Sequence, residues 1–149
     1  MKILFTLLLL AAIHPAFGAQ EPELPGTWIF YKKVFRDQEM PEPPNATLRM
    51  HFQFTAEAES RLWWWHEGES DHCERKGIYT LEDGILVDEV TWLNPDNTAD
   101  CSNDPDMQLG KVNKTPYKFR GPDLSLELHL NGEPLSMVWK RVEAQPGQI

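Results

Sequence analysis

Residues 123–142 read DLSLELHLNGEPLSMVWKRV, and this stretch decides the fold. Leu124, Leu126, Leu128 and Leu130 alternate with Ser125, Glu127 and His129. A period of two places the leucines on one face of a strand and the polar residues on the other. Asn131-Gly132 then supplies two residues that tolerate positive φ, the requirement of a tight two-residue hairpin. The partner strand is PLSMVWKRV, 134–142. One antiparallel hairpin with an apolar face and a polar face is therefore expected at the end of the chain.

The same pattern recurs upstream. TWIFYKKVF (27–35) is aromatic and β-branched, and TLRMHFQFT (47–55) sets Leu48, Met50, Phe52 and Phe54 against Arg49, His51 and Gln53. RLWWWHE (61–67), KGIYTL (76–81) and ILVDEVTW (85–92) follow, the last two joined through Asp83-Gly84. GKVNKTPYKF (110–119) carries Pro116, which suggests a sheet edge or a bulge. RDQEMPEPPNA (36–46) allows a turn at most, because Pro41, Pro43 and Pro44 interrupt any helix. The expected fold class is thus all-β, an eight-stranded antiparallel up-and-down barrel, since closure removes the unpaired edges that invite aggregation. Eight strands enclose an interior wide enough for packed side chains or for one small ligand.

MKILFTLLLLAAIHPAFGA, residues 1–19, has a basic start, a short apolar run and small residues before a cleavage point, so it reads as a secretory signal peptide. Residues 20–149 are read as a single domain, periplasmic or secreted, with no cysteine near the cleavage point to take a lipid anchor. No later segment is apolar and long enough to be a transmembrane segment. The formal charge is −9, or −10 once Lys2 leaves with the signal, which argues against nucleic acid and anionic lipid as partners. Cys73 and Cys101, the two cysteines of an exported chain, are expected to form one disulfide. Closing that loop stabilises the fold by roughly 3–4 kcal/mol on a chain-entropy model.

Gly26-Thr27-Trp28 opens the first strand and Arg141 stands near the end of the last, in VWKRV. This resembles the lipocalin-like (calycin) pattern of small exported bacterial domains, in which a G-x-W and a terminal arginine meet at the closed end of the barrel. The resemblance implies structural roles for Gly26, Trp28 and Arg141, with the guanidinium stacked on the indole. It also implies a barrel that takes up a small apolar molecule. Two departures stand out: there is no T-D-Y between the sixth and seventh strands, and a cysteine-bearing acidic loop, LNPDNTADCSNDPDMQ (93–108), follows the fifth.

Strand geometry divides RLWWWHE. Leu62, Trp64 and His66 share one face, and Arg61, Trp63, Trp65 and Glu67 the other. The bracketing charges place the second set outside, so Trp64 points inward with His66 nearer the mouth. Trp64 is then either core filling or cavity wall. Trp63 and Trp65 are either covered by 36–46 or by the proline-bearing leader QEPELPG (20–26), or form a contact patch.

Metal chemistry fits poorly. His66, His72 and Cys73 are spaced by six and then one, unlike a zinc site, and Cys73 is expected in the disulfide. Asp96, Asp100, Asp104 and Asp106 offer oxygen ligands, but the calcium-loop template places Cys101 where glycine belongs and Met107 where the bidentate glutamate belongs. Asn45 and Asn113 head glycosylation triplets, relevant only in a source that glycosylates. No nucleophile, phosphate-loop or metalloprotease motif is present, so the chain is not expected to be an enzyme or to need a cofactor. The expected function is that of an exported monomer binding a small apolar or amphipathic ligand against Met50, Phe52, Trp64 and His66. The alternative is a filled barrel acting as a structural or protein-interaction module through its outer tryptophans and the 93–108 loop.

Overall fold

Among the described residues, alternation becomes nine antiparallel strands: β1 (Gly26–Phe35), β2 (Gln38–Glu39), β3 (Leu48–Phe54), β4 (Glu59–His66), β5 (His72–Glu82), β6 (Ile85–Leu93), β7 (Val112–Arg120), β8 (Asp123–Leu130) and β9 (Glu133–Arg141). Each long strand pairs with the next, and β9 returns to pair with β1, from Trp28↔Arg141 to Phe35↔Leu135. The eight long strands therefore form a closed antiparallel barrel. β2 is a two-residue ladder on the upper part of β1, Val34↔Glu39 and Phe35↔Gln38. The computed structural model describes residues 23–40 and 47–143. The expected signal peptide and Pro41, Pro43 and Pro44 lie outside the described residues. Among those described, no helix is long and apolar enough to cross a membrane.

Both expected two-residue hairpins form. Asp83 and Gly84 have φ of 48° and 80°, and Asn131 and Gly132 have 53° and 82°, the left-handed values that such turns demand. Leu124 and Leu126 are buried, but the inward set ends there in full burial: Leu130, expected to face in, is 48% exposed beside the hairpin tip. Strand β5 begins at His72 rather than Lys76. Its first residues are charged, which hides a strand from a reading based on apolar alternation, yet each has a cross-strand neighbour, Trp63↔Glu74 and Leu62↔Arg75.

Two features set the shape of the upper barrel. The β7–β8 ladder runs from Arg120↔Asp123 to Tyr117↔Leu126 and stops at Pro116, which has no N–H to give. Below that point β7 pairs β8; above it β7 pairs only β6, from Glu89↔Val112 to Ile85↔Pro116. The acidic loop is the second feature. It folds into two short 3-10 turns, Ala99–Asn103 and Pro105–Met107, where only irregular loop was expected. The local cause is Asp104, whose side chain accepts a hydrogen bond from the Asp106 amide at 2.8 Å, with Pro105 beginning the turn. The expected disulfide Cys73–Cys101 anchors the loop to β5, and Cys101 and Met107 are buried against Trp64 and Leu93.

Candidate functional site

Strands β3 and β4 build the wall of the cavity. Cross-strand partners share a face, and the register pairs Leu48 with His66, Met50 with Trp64 and Phe52 with Leu62. All six line a cavity of about 590 Å³. Met50, Phe52, Trp64 and His66 are therefore brought together as one wall. Leu86, Leu126 and Trp139 complete the apolar lower part. Arg75, the cross-strand neighbour of Leu62, and Asp88 bring charge to the same wall, and Asn113, Lys114 and the loop residues Asp104 and Asp106 add further polar lining.

The sequence reading missed these polar groups. Arg75 lay outside its expected strand, and Asp88 was passed over although it shares the inward parity of Leu86 and Val90. In the structure the two form a buried ion pair at 2.6 Å, their side chains 4% and 3% exposed. Ser60 Oγ donates to the other oxygen of Asp88. Gly77 is tightly enclosed beside this cluster: a Cβ there would collide with the Glu89 carbonyl oxygen and lie 2.9 Å from Ser60 Oγ. The Arg75 guanidinium also lies over the Phe52 ring, 5.6 Å from its centroid.

Below the cavity the barrel is shut. Trp28 is fully buried; its Nε1 donates to the Leu24 carbonyl at 2.9 Å. Arg141 stacks on the Trp28 ring at 4.4 Å and donates to the carbonyls of Pro25 and Glu23. Gly26, with φ of +146°, is required here because a side chain would collide with that guanidinium. Phe119 packs on Trp28, with ring centroids 6.0 Å apart, and seals the floor.

This closed eight-stranded barrel is similar in structure to a lipocalin-like protein from Bacteroides uniformis. The TM-score is 0.53 at 13% sequence identity, over 80% of this chain and 98% of that one. The fold is lipocalin-like. An uncharacterized protein from Bacteroides eggerthii aligns at 14% identity and a TM-score of 0.48, over 80% of this chain and 100% of that one. No family model matches the sequence. No curated protein matches it either.

On the outside of the lipocalin-like barrel, the other face of β4 carries Trp63 and Trp65. His51 of β3 lies between them, stacked at centroid distances of 4.9 and 5.2 Å with 25° between planes in each case. Burial between the indoles lowers the His51 pKa below its ordinary value. Arg61 covers Trp63 at 4.5 Å and donates from Nε to Glu74 at 2.7 Å. The two outer indoles are thus half-buried by neighbours on their own sheet. Of the expected cover, residues 41–46 lie outside the described residues.

Glu74 ties this outer face to the loop. Burial alone would raise its carboxyl, but hydrogen bonds from Arg61 and Asn94 outweigh burial and hold it below the usual range. Its backbone exchanges two hydrogen bonds with the Asn97 side chain, at 2.7 and 2.9 Å. Asn94 Nδ2 lies 3.2 Å from His72 Nε2, and the Cys73 sulfur belongs to the disulfide. The trio His66, His72 and Cys73 is split accordingly: His66 lines the cavity, while the other two sit at the loop anchor.

Proposed function

We propose that this protein is an exported binder that takes a small apolar or amphipathic molecule reversibly into its barrel, without covalent chemistry. The observation that carries the reading is the cavity of about 590 Å³ above a sealed aromatic floor. Its volume lies within the range of ordinary ligand pockets, and its make-up, mostly apolar with a few polar groups, is theirs too. The apolar end of a guest meets Phe52, Leu62, Leu86 and Leu126. Its more polar end lies beside His66, Asn113 and the acidic loop. Trp64 is the reporter, since its indole stands on the wall between the two parts.

Native mass spectrometry of protein purified from its own source tests the reading: a retained guest adds discrete mass that mild activation removes. Titration with lipophiles is the companion measurement, and it is expected to change tryptophan emission in the wild type but much less in Trp64→Phe. A bare mass together with unchanged emission across a broad lipophile panel overturns the proposal. The same purification tests export, because the mature chain is expected to begin after Ala19 and to come from the periplasm or medium.

A further inference from the structure

The seam between β7 and β8 is laced only in its lower half. Its ladder ends at Tyr117↔Leu126, so the next rungs, which would set Pro116 opposite Glu127 and Lys114 opposite His129, do not form. On the other side of β7, the Tyr117 N–H bonds to the Gly84 carbonyl and the Val90 N–H to the Lys111 carbonyl, at 2.9 Å each. Backbone groups point to alternate sides along a strand, so the odd residues of β7 serve β6 while Val112, Lys114 and Pro116 face β8. Pro116 has no N–H with which to continue the ladder. Above it, Val112 and Lys114 on one edge and Glu127 and His129 on the other have no strand opposite them among the described residues. The β1–β3 seam also parts, above Ile29↔His51, but there β2 takes the β1 edge. Between β7 and β8 the parting is left as a notch.

The cavity opens to this notch. On every other strand that lines it the lining residues alternate, as Leu126 and Leu128 do on β8, whereas on β7 three in succession line it, Asn113, Lys114 and Thr115. Lys114 has the outward parity and is exposed, so the cavity reaches past the inner face of β7 to its edge. Leu130 shares the inward parity of Leu128 and yet is 48% exposed, because the rung that would set Asn113 opposite it is missing. Val112, on the facing edge, is 46% exposed. Apolar residues therefore flank the notch on both sides, whereas a path over the disulfide-anchored loop passes the carboxylates of Asp104 and Asp106. A lipophile sliding past a carboxylate strips water from a charge; past Val112 and Leu130 it buries apolar surface instead.

From this open seam and its apolar flanks we infer that the guest is a single-chain lipophile that enters and leaves sideways between β7 and β8, a chain longer than the cavity resting with its far end outside between Val112 and Leu130. The inference rests on the binding function proposed above and adds the shape of the guest and its path. Pro116 is a positioning residue: it ends the ladder and so holds the notch open. Leu126 and Leu128 lead from the notch to the apolar interior.

Hydrogen exchange on the full mature chain reads the notch itself. The Lys114 and His129 amides are expected to exchange freely, while those of Thr115 and Leu128, turned to β6 and β9, are protected. The path is read with a hexadecane chain carrying a diazirine at each end, photolysed in the complex: one end is expected to label the cavity interior and the other residues 112–116 or 127–130. Pro116→Val supplies the missing N–H and is expected to protect the Lys114 amide and to slow association of an alkylpyrene probe several-fold, whereas Leu48→Ala on the opposite rim leaves that rate as in wild type. The inference is overturned by protected Lys114 and His129 amides in the free protein, by outer label confined to 47–50 and 66–72, or by a wild-type association rate in a Pro116→Val protein whose Lys114 amide has become protected. Should the variant leave that amide unprotected, the labelling decides. If the chain binds and labels only the opposite rim, the binding function stands and this inference falls; if no lipophile binds, both fall.

Discussion

Trp28 and Trp139 are both buried indoles on the barrel interior, and they are treated in opposite ways. At the closed end Trp28 has its N–H on the Leu24 carbonyl and its ring under Arg141, whose own donors reach two further carbonyls. On the cavity wall, Trp139 packs edge-on to Phe30, with centroids 5.6 Å apart, but its N–H meets no acceptor among the described residues. The β-ladders follow the same division. Below Pro116 the seam between β7 and β8 is laced, and above it Asn113, Thr115 and Leu128 face the cavity. The difference teaches that one set of strands builds two environments: a floor in which the buried polar groups are satisfied, and a wall around the cavity in which the Trp139 N–H has no acceptor among the described residues.

The sharpest way to break this comparison is to empty the floor. Trp28→Ala is expected to cost about 3–5 kcal/mol in chemical denaturation, the range for truncating a large core aromatic. Trp64→Ala on the half-buried wall is expected to cost clearly less, about 1–2 kcal/mol. Equal losses would mean that the two halves do not differ in packing.

Next in size is the buried ion pair. Arg75→Met leaves Asp88 buried and uncompensated and is expected to cost about 3–5 kcal/mol. The double variant Arg75→Met with Asp88→Leu is expected to recover much of that loss. A double variant as unstable as the single would show that the pair has a packing role rather than an electrostatic one.

The loop anchor comes third. Cys73→Ser with Cys101→Ser opens a bridge between residues 28 apart in sequence, and roughly 3–4 kcal/mol of stability is expected to go with it. Hydrogen exchange sharpens the result, since the amides of 93–111 are expected to lose protection while those around Trp28 keep theirs.

The smallest effect is a pH dependence on the outer face. Because burial lowers the folded-state pKa of His51, the neutral imidazole is favoured by folding. Its contribution is complete above the unfolded value of about 6.5 and is lost as pH falls through the lower folded value. The melting temperature is therefore expected to fall more steeply on acidification in wild type than in His51→Phe, which keeps the aromatic stack and cannot titrate. Parallel pH profiles would remove His51 as an acid-sensitive element.

Much of this molecule was legible beforehand, and the legible parts share a cause. The split of Trp63, Trp64 and Trp65, the inward set Met50, Phe52, Trp64 and His66, and the two positive-φ hairpins all follow from local rules of strand period and turn chemistry. The cysteine pairing followed from their number and from the expectation of export. The seams were harder to read. Pro116 announced an irregularity but not that the β8 ladder would end there, and the acidic loop gave no sign of its 3-10 turns beyond Asp104-Pro105. Arg75 was hidden because charged residues disguised the start of β5.

By itself, then, the sequence determined the strands, their faces, the order of pairing and the cross-link, because these depend on neighbours within a few residues or on residue type alone. Only the tertiary structure decided that the barrel is hollow above a sealed floor, that Arg75 meets Asp88, and that the Trp139 N–H finds no acceptor among the described residues. Those outcomes depend on how volumes and hydrogen-bonding groups from strands far apart in the chain add up around a closed circle. No local pattern records that sum.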